Sequence, residues 1–91
     1  MRYPKEVSDG AWERAAANTL RAALRRRGVT TAELAARMTN NGSAVSAGSV
    51  RNKLSRGTFT ASFFLRALGA LECGPGDIEH LIAFAAGSLM T

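Results

Sequence analysis

The sequence predicts an all-α fold, a single domain built as a bundle of five short helices. Apolar residues recur at the three- and four-residue spacing of amphipathic helices through most of the chain. Residues that favour helix starts precede these segments, and no alternation of apolar and polar residues is long enough for a strand. Ninety-one residues suffice for one domain with a thin core, which would gain stability from a partner subunit.

The first helix is expected to begin at Ser8 or Asp9 and to end near Arg27, because Gly28 can adopt the left-handed conformation that stops a helix. Residues 1–7 are expected to form a short disordered arm before it. One apolar stripe of this helix should be buried, and it consists of Trp12, Ala16, Leu20, Ala23 and Leu24.

The second and third helices carry similar start signals. Thr30 and Glu33 form a capping box, which predicts a helix over about residues 31–38. Ser46 caps the third helix, and Gly57 ends it. The residues of the third helix expected to point inward are Ala47, Val50 and Leu54.

The fourth helix, capped by Thr60, is apolar on almost all sides and is therefore expected at the centre of the bundle. Pro75 begins the fifth helix, with Asp77 near its positive end. The apolar face of the fifth helix is wider than a small bundle buries, and such faces mark interfaces. This predicted interface of a homodimer consists of Ile78, Leu81, Ile82, Phe84, Ala85 and Leu89.

The charge is divided unevenly along the chain. Residues 1–56 hold 11 basic and 4 acidic residues, whereas residues 57–91 hold 1 basic and 3 acidic residues. A basic front half favours a polyanionic partner, although the same composition also fits a protein that is merely basic. The single cysteine, the polar residues 1–12 and the shortness of the apolar stretch 81–90 predict a cytoplasmic protein with no membrane partner.

The third helix presents donors and cations without an acid. We expect Ser49, Asn52 and Gly48 at base edges, since asparagine pairs with adenine and glycine permits close approach. The residues expected to contact phosphates are Arg51, Lys53 and Arg56. The alternative is a solvated face whose cations offset the negative end of the helix.

Further phosphate contacts are expected at the second helix. Thr30 and Thr31 stand at its positive start, where backbone N–H groups can bind phosphate, and Arg37 lies near its end. The run Arg25-Arg26-Arg27 has two interpretations. It either offsets the dipole of the first helix or clamps a phosphate.

This order of helices resembles the Cro and phage-repressor class of helix-turn-helix domains. The resemblance rests on the alanine-rich segment 32–37, on Arg56-Gly57, and on the apolar helix that follows, and it covers about residues 12–86. The segment 52–59, followed by Phe63-Phe64-Leu65, is also similar to a family of small uncharacterised bacterial domains. The resemblance implies a helix-turn-helix over about residues 30–57 that binds double-stranded DNA.

One feature departs from the repressor class. In the repressor class the turn between the second and third helices has about three or four residues. In this chain the turn is expected over residues 39–45, which is seven residues. Either this loop bulges towards a phosphate, or the two helices meet at an unusual angle.

These observations favour a dimeric transcriptional repressor that reads an inverted repeat. An enzyme is disfavoured because the chain has one histidine, one cysteine and no phosphate-binding glycine loop. No cofactor, metal or small-molecule ligand is expected. An antitoxin or an adaptor module that binds another protein is the alternative, while RNA binding is disfavoured because no exposed aromatic platform is evident.

Overall fold

A computed structural model describes residues 7–90, which form a bundle of five helices and contain no strand. The helices are α1 (Asp9–Arg27), α2 (Thr31–Asn40), α3 (Ala47–Arg56), α4 (Ala61–Ala70) and α5 (Pro75–Met90). The predicted all-α fold is confirmed. The expected arm at residues 1–7 lies outside the described residues except for Val7.

Side-chain caps account for the helix starts. The hydroxyls of Thr30, Ser46 and Thr60 each accept the backbone N–H three residues ahead, at 3.0 to 3.1 Å. Ser8 does the same for α1 at 3.2 Å. Each cap satisfies a donor that the helix itself cannot pair, so all four starts lie where the sequence predicts them.

The connection between α2 and α3 is shorter than the expected loop of residues 39–45, because α2 continues to Asn40. The hydroxyl of Thr39 donates to the carbonyl of Val45 at 3.1 Å and accepts its N–H at 3.3 Å. This pair of hydrogen bonds ties the end of α2 to the residue before the Ser46 cap of α3.

Helix α1 packs against both α3 and α5. It is therefore buried on two sides and not along the single predicted stripe. Ala15, Ala17 and Thr19 are buried, whereas Trp12 is 42% exposed. The buried hydroxyl of Thr19 donates to the carbonyl of Ala15 at 2.6 Å.

Helix α4 is less enclosed than predicted. Phe63, Ala67 and Leu68 are buried, but Leu65 is 65% exposed, because α2 is its main neighbour and leaves one side open. The Phe59 and Phe64 rings stack with centroids 6.0 Å apart, as expected of a hydrophobic staple at the start of a helix.

The end of α3 approaches α1 more closely than any side chain would permit. Gly57 has a φ of +69°, and a Cβ atom at this position would lie 2.6 Å from the carbonyl oxygen of Glu13. Arg21 of α1 reinforces this contact, because its Nη2 donates to the carbonyl of Leu54 at 3.2 Å. Backbone conformation and space both require glycine at position 57.

Gly57→Ala should therefore destabilise the fold more than Gly28→Ala, which is a matched control. Gly28 also has a positive φ, of +64°, but an added Cβ atom would meet nothing within 4 Å. We expect Gly28→Ala to cost roughly 1–2 kcal/mol of unfolding free energy from the left-handed backbone alone. Gly57→Ala should cost at least about 1 kcal/mol more, because it adds overpacking. Urea denaturation measures both, and equal losses would contradict the proposed close contact.

Candidate nucleic-acid interface

The outward face of α3 is polar, and it carries no acidic residue. Val50 and Leu54 are buried, so the opposite side of the helix faces outward. Gly48, Arg51, Asn52 and Arg56 are all exposed. Within the described part of the chain, the side chains of Arg51, Asn52 and Arg56 have no hydrogen-bond or ion-pair partner.

Ser49 and Lys53 are less outward than the sequence predicts, because both are half-buried. The Lys53 ammonium donates to the Ser49 hydroxyl at 3.0 Å and lies 5.3 Å from the centroid of the Phe63 ring. The lysine stem therefore folds back along α3 towards α4. A phosphate contact by Lys53 would require this side chain to leave both partners.

The start of α2 is less open to a phosphate than expected. The Thr30 backbone N–H, one of the predicted donors, is already bonded to Glu33 Oε1 at 3.2 Å. The Glu33 carboxylate thus occupies the positive end of α2 and would repel a phosphate there. Thr31, half-buried at the first position of the helix, is the remaining candidate.

Arg37 is held by the bundle, because its Nη1 donates to the carbonyl of Ala70, the last residue of α4, at 3.3 Å. This bond satisfies a carbonyl that the end of α4 leaves unpaired. A phosphate contact by Arg37, which is exposed, would have to share its guanidinium group with this carbonyl.

Two of the three consecutive arginines also have structural partners. Arg26 Nε lies 2.7 Å from Asp77 Oδ1, and Arg27 Nε donates to the carbonyl of Leu71 at 2.9 Å. The hydrogen bond from Arg26, together with the Gly74 N–H, lowers the pKa of the Asp77 carboxyl. These bonds join the end of α1 to the end of α4 and to the start of α5, which favours a structural interpretation of the run over a phosphate clamp.

An apolar groove of about 260 Å³ lies between α1, α4 and α5. Ile78, Ile82, Ala85 and Leu89 of the predicted dimer face line it. Leu81 is only 3% exposed and packs into the core, so it cannot contribute much interface area.

Two aromatic residues of the groove region differ from the sequence prediction. Phe84 is half-buried and lies outside the groove, because a 100° step per residue points it away from the other members. Trp12 lines the groove and is 42% exposed. The predicted burial of Trp12 in the apolar stripe of α1 is therefore wrong.

A second polar surface was missed by the sequence analysis. Arg14, Asn18 and Arg21 follow the spacing i, i+4, i+7 and share a face of α1, next to Ser55 and Arg56 of α3. The spacing is visible in the sequence, but the contact with α3 is not.

A family model described as "Domain of unknown function (DUF6471)" matches residues 12–75, more than two thirds of the chain. The chain belongs to this family. No curated protein and no solved structure matches the chain. The DUF6471 segment contains all of α3 and the polar face of α1, and it ends at the first residue of α5.

Residues 7–90 of this DUF6471 protein show no sign of metal or thiol chemistry. No group of three or more potential metal ligands lies together there. Burial raises the pKa of the single thiol, Cys73, so it is less reactive than an exposed cysteine. None of the described helices is both long and apolar enough to cross a membrane.

Proposed function

We propose that this protein is a sequence-specific, double-stranded DNA-binding regulator of the helix-turn-helix kind. The observation that carries the proposal is the exposed, acid-free face of α3, on which Arg51, Asn52 and Arg56 have no partner among the described residues. A solvated surface helix usually exposes charges of both signs, whereas the cations of α3 have no acidic neighbour on the helix and repel one another. A DNA groove would satisfy these donors, with Asn52 at a base and the arginines at phosphates.

The proposal includes a dimeric repressor in the bacterial cytoplasm. A short recognition helix reads only a few base pairs, so an inverted repeat read by two copies would supply the specificity. The groove between α1 and α5 supports a two-fold contact, since Ile82 and Trp12 are 45% and 42% exposed at its edge. Most of the positive charge lies in residues 1–56, so α5 faces could meet with little repulsion.

An antitoxin or adaptor function is the second candidate, and the same groove favours it. An amphipathic helix of another protein could bind there in place of a second copy. This function does not require an acid-free α3, and it predicts no affinity for duplex DNA.

Asn52→Ala tests whether the outward face of α3 reads base sequence. The selectivity for a selected duplex over random DNA should fall by roughly 1–3 kcal/mol, because a base contact is lost. Its unfolding free energy should not change, since the side chain is exposed and unpaired. The matched control is Arg51→Gln, which should weaken both duplexes about equally, as expected of a phosphate contact. Fluorescence anisotropy measures both, and unchanged selectivity of Asn52→Ala would exclude α3 as the reader.

Ile82→Glu tests the dimer. A carboxylate in an apolar seam should give a monomer at micromolar concentration, which analytical ultracentrifugation detects. Affinity for an inverted repeat should fall about a hundredfold or more, because the two half-sites are then bound separately. His80→Glu is the control, since His80 is exposed on the opposite side of α5. A monomeric parent that still binds the repeat tightly would contradict the dimer.

A further inference from the structure

A concave pocket of about 240 Å³ lies between α1 and the end of α3, beside the outward face of α3, with which it shares Arg56. At about 30 Å³ per water molecule, it has room for a small hydrated anion. The residues that line it are Arg14, Ala17, Asn18, Arg21, Leu54, Ser55, Arg56 and Gly57.

The lining carries three guanidinium groups and no carboxylate. Arg21 is held by two hydrogen bonds, to Leu54 O at 3.2 Å and to Asn18 Oδ1 at 3.5 Å. Arg14 and Arg56 are exposed and have no partner among residues 7–90. The three guanidinium groups around this pocket repel one another, and a bound anion would replace this repulsion with attraction.

The pocket is built by the rigid part of the fold. Gly57 brings the end of α3 against Glu13 of α1, and the bond from Arg21 to Leu54 fixes the same contact. Arg21 and Asn18 are therefore already positioned for a ligand, and the exposed Arg14 and Arg56 side chains are the donors that must be ordered on binding.

We infer that this pocket binds a phosphate group. Guanidinium groups pair with phosphate through parallel hydrogen bonds. Asn18 uses its amide oxygen to accept from Arg21, which leaves its amide nitrogen to donate to the ligand. The hydroxyl of Ser55, which is exposed, supplies another donor.

This inference deepens the proposed function and rests on it for the origin of the phosphate. Arg56 belongs both to the pocket and to the outward face of α3. A phosphate in the pocket would then come from the DNA backbone beside the groove that α3 enters. The other source of the same chemistry is a free phosphorylated molecule.

Arg14→Gln tests the pocket, because this side chain is exposed and bonded to nothing in the described fold. The affinity of the full chain for a random duplex is measured against salt concentration. We expect the log–log slope to become shallower by about 0.9 in Arg14→Gln, since one phosphate contact is lost. The double variant Arg14→Gln/Arg56→Gln should make the slope shallower by about 1.8. The control is Arg66→Gln, which removes an exposed arginine of α4 outside the pocket and should leave the slope unchanged.

Thermal unfolding with and without pyrophosphate distinguishes the two sources. In one outcome, the parent binds DNA, Arg14→Gln has the same salt slope as Arg66→Gln, and pyrophosphate stabilises neither the parent nor Arg14→Gln. The pocket is then not a phosphate site, and the proposed function stands. If the parent binds no duplex but pyrophosphate raises its melting temperature and not that of Arg14→Gln, the pocket binds a free phosphorylated molecule. The proposed function then fails and the phosphate site stands. If the parent neither binds DNA nor is stabilised by pyrophosphate, both the phosphate site and the proposed function are overturned.

Discussion

The backbone of α3 ends against the carbonyl of Glu13, and this approach depends on a glycine at position 57. Because Gly57 has no side chain and adopts a positive φ, α3 can stop abruptly while its buried residues stay in the core. The same contact orients the polar face of α3 outward and closes the arginine-lined pocket on one side. It leaves the other side of α1 for α5, whose packing creates the apolar groove.

Two sets of arginines among the described residues differ in their hydrogen bonds. Arg21, Arg27 and Arg37 donate to the carbonyls of Leu54, Leu71 and Ala70, which lie at or near the ends of α3 and α4. Cations are favourable at these negative helix ends, and here they come from other helices. Arg14, Arg51 and Arg56 have no such partner among the described residues. It is this second group that makes a polyanionic partner the better explanation of the surface.

The sequence was sufficient to predict the elements that local chemistry determines. The helix starts at Thr30, Ser46 and Thr60 depend on residues within one turn of the cap, and all three were predicted. The roles of individual arginines were not, because Arg37 and Arg27 bond to residues 33 and 44 positions away. The sequence also predicted only in part which residues of α1 and α5 are buried. The exposure of Trp12 and the burial of Leu81 depend on how these two helices pack.

A selection of bound duplexes from a random DNA pool tests most directly whether α3 reads base sequence. The unpartnered side chains of α3 should enrich a short motif, and pairing through the α1–α5 groove should arrange two copies as an inverted repeat about one helical turn apart. Recovery of the pool without any enriched motif, at a salt concentration where the protein binds DNA, would contradict sequence-specific recognition by α3. An enriched single motif without symmetry would keep α3 as the reader and contradict the dimer.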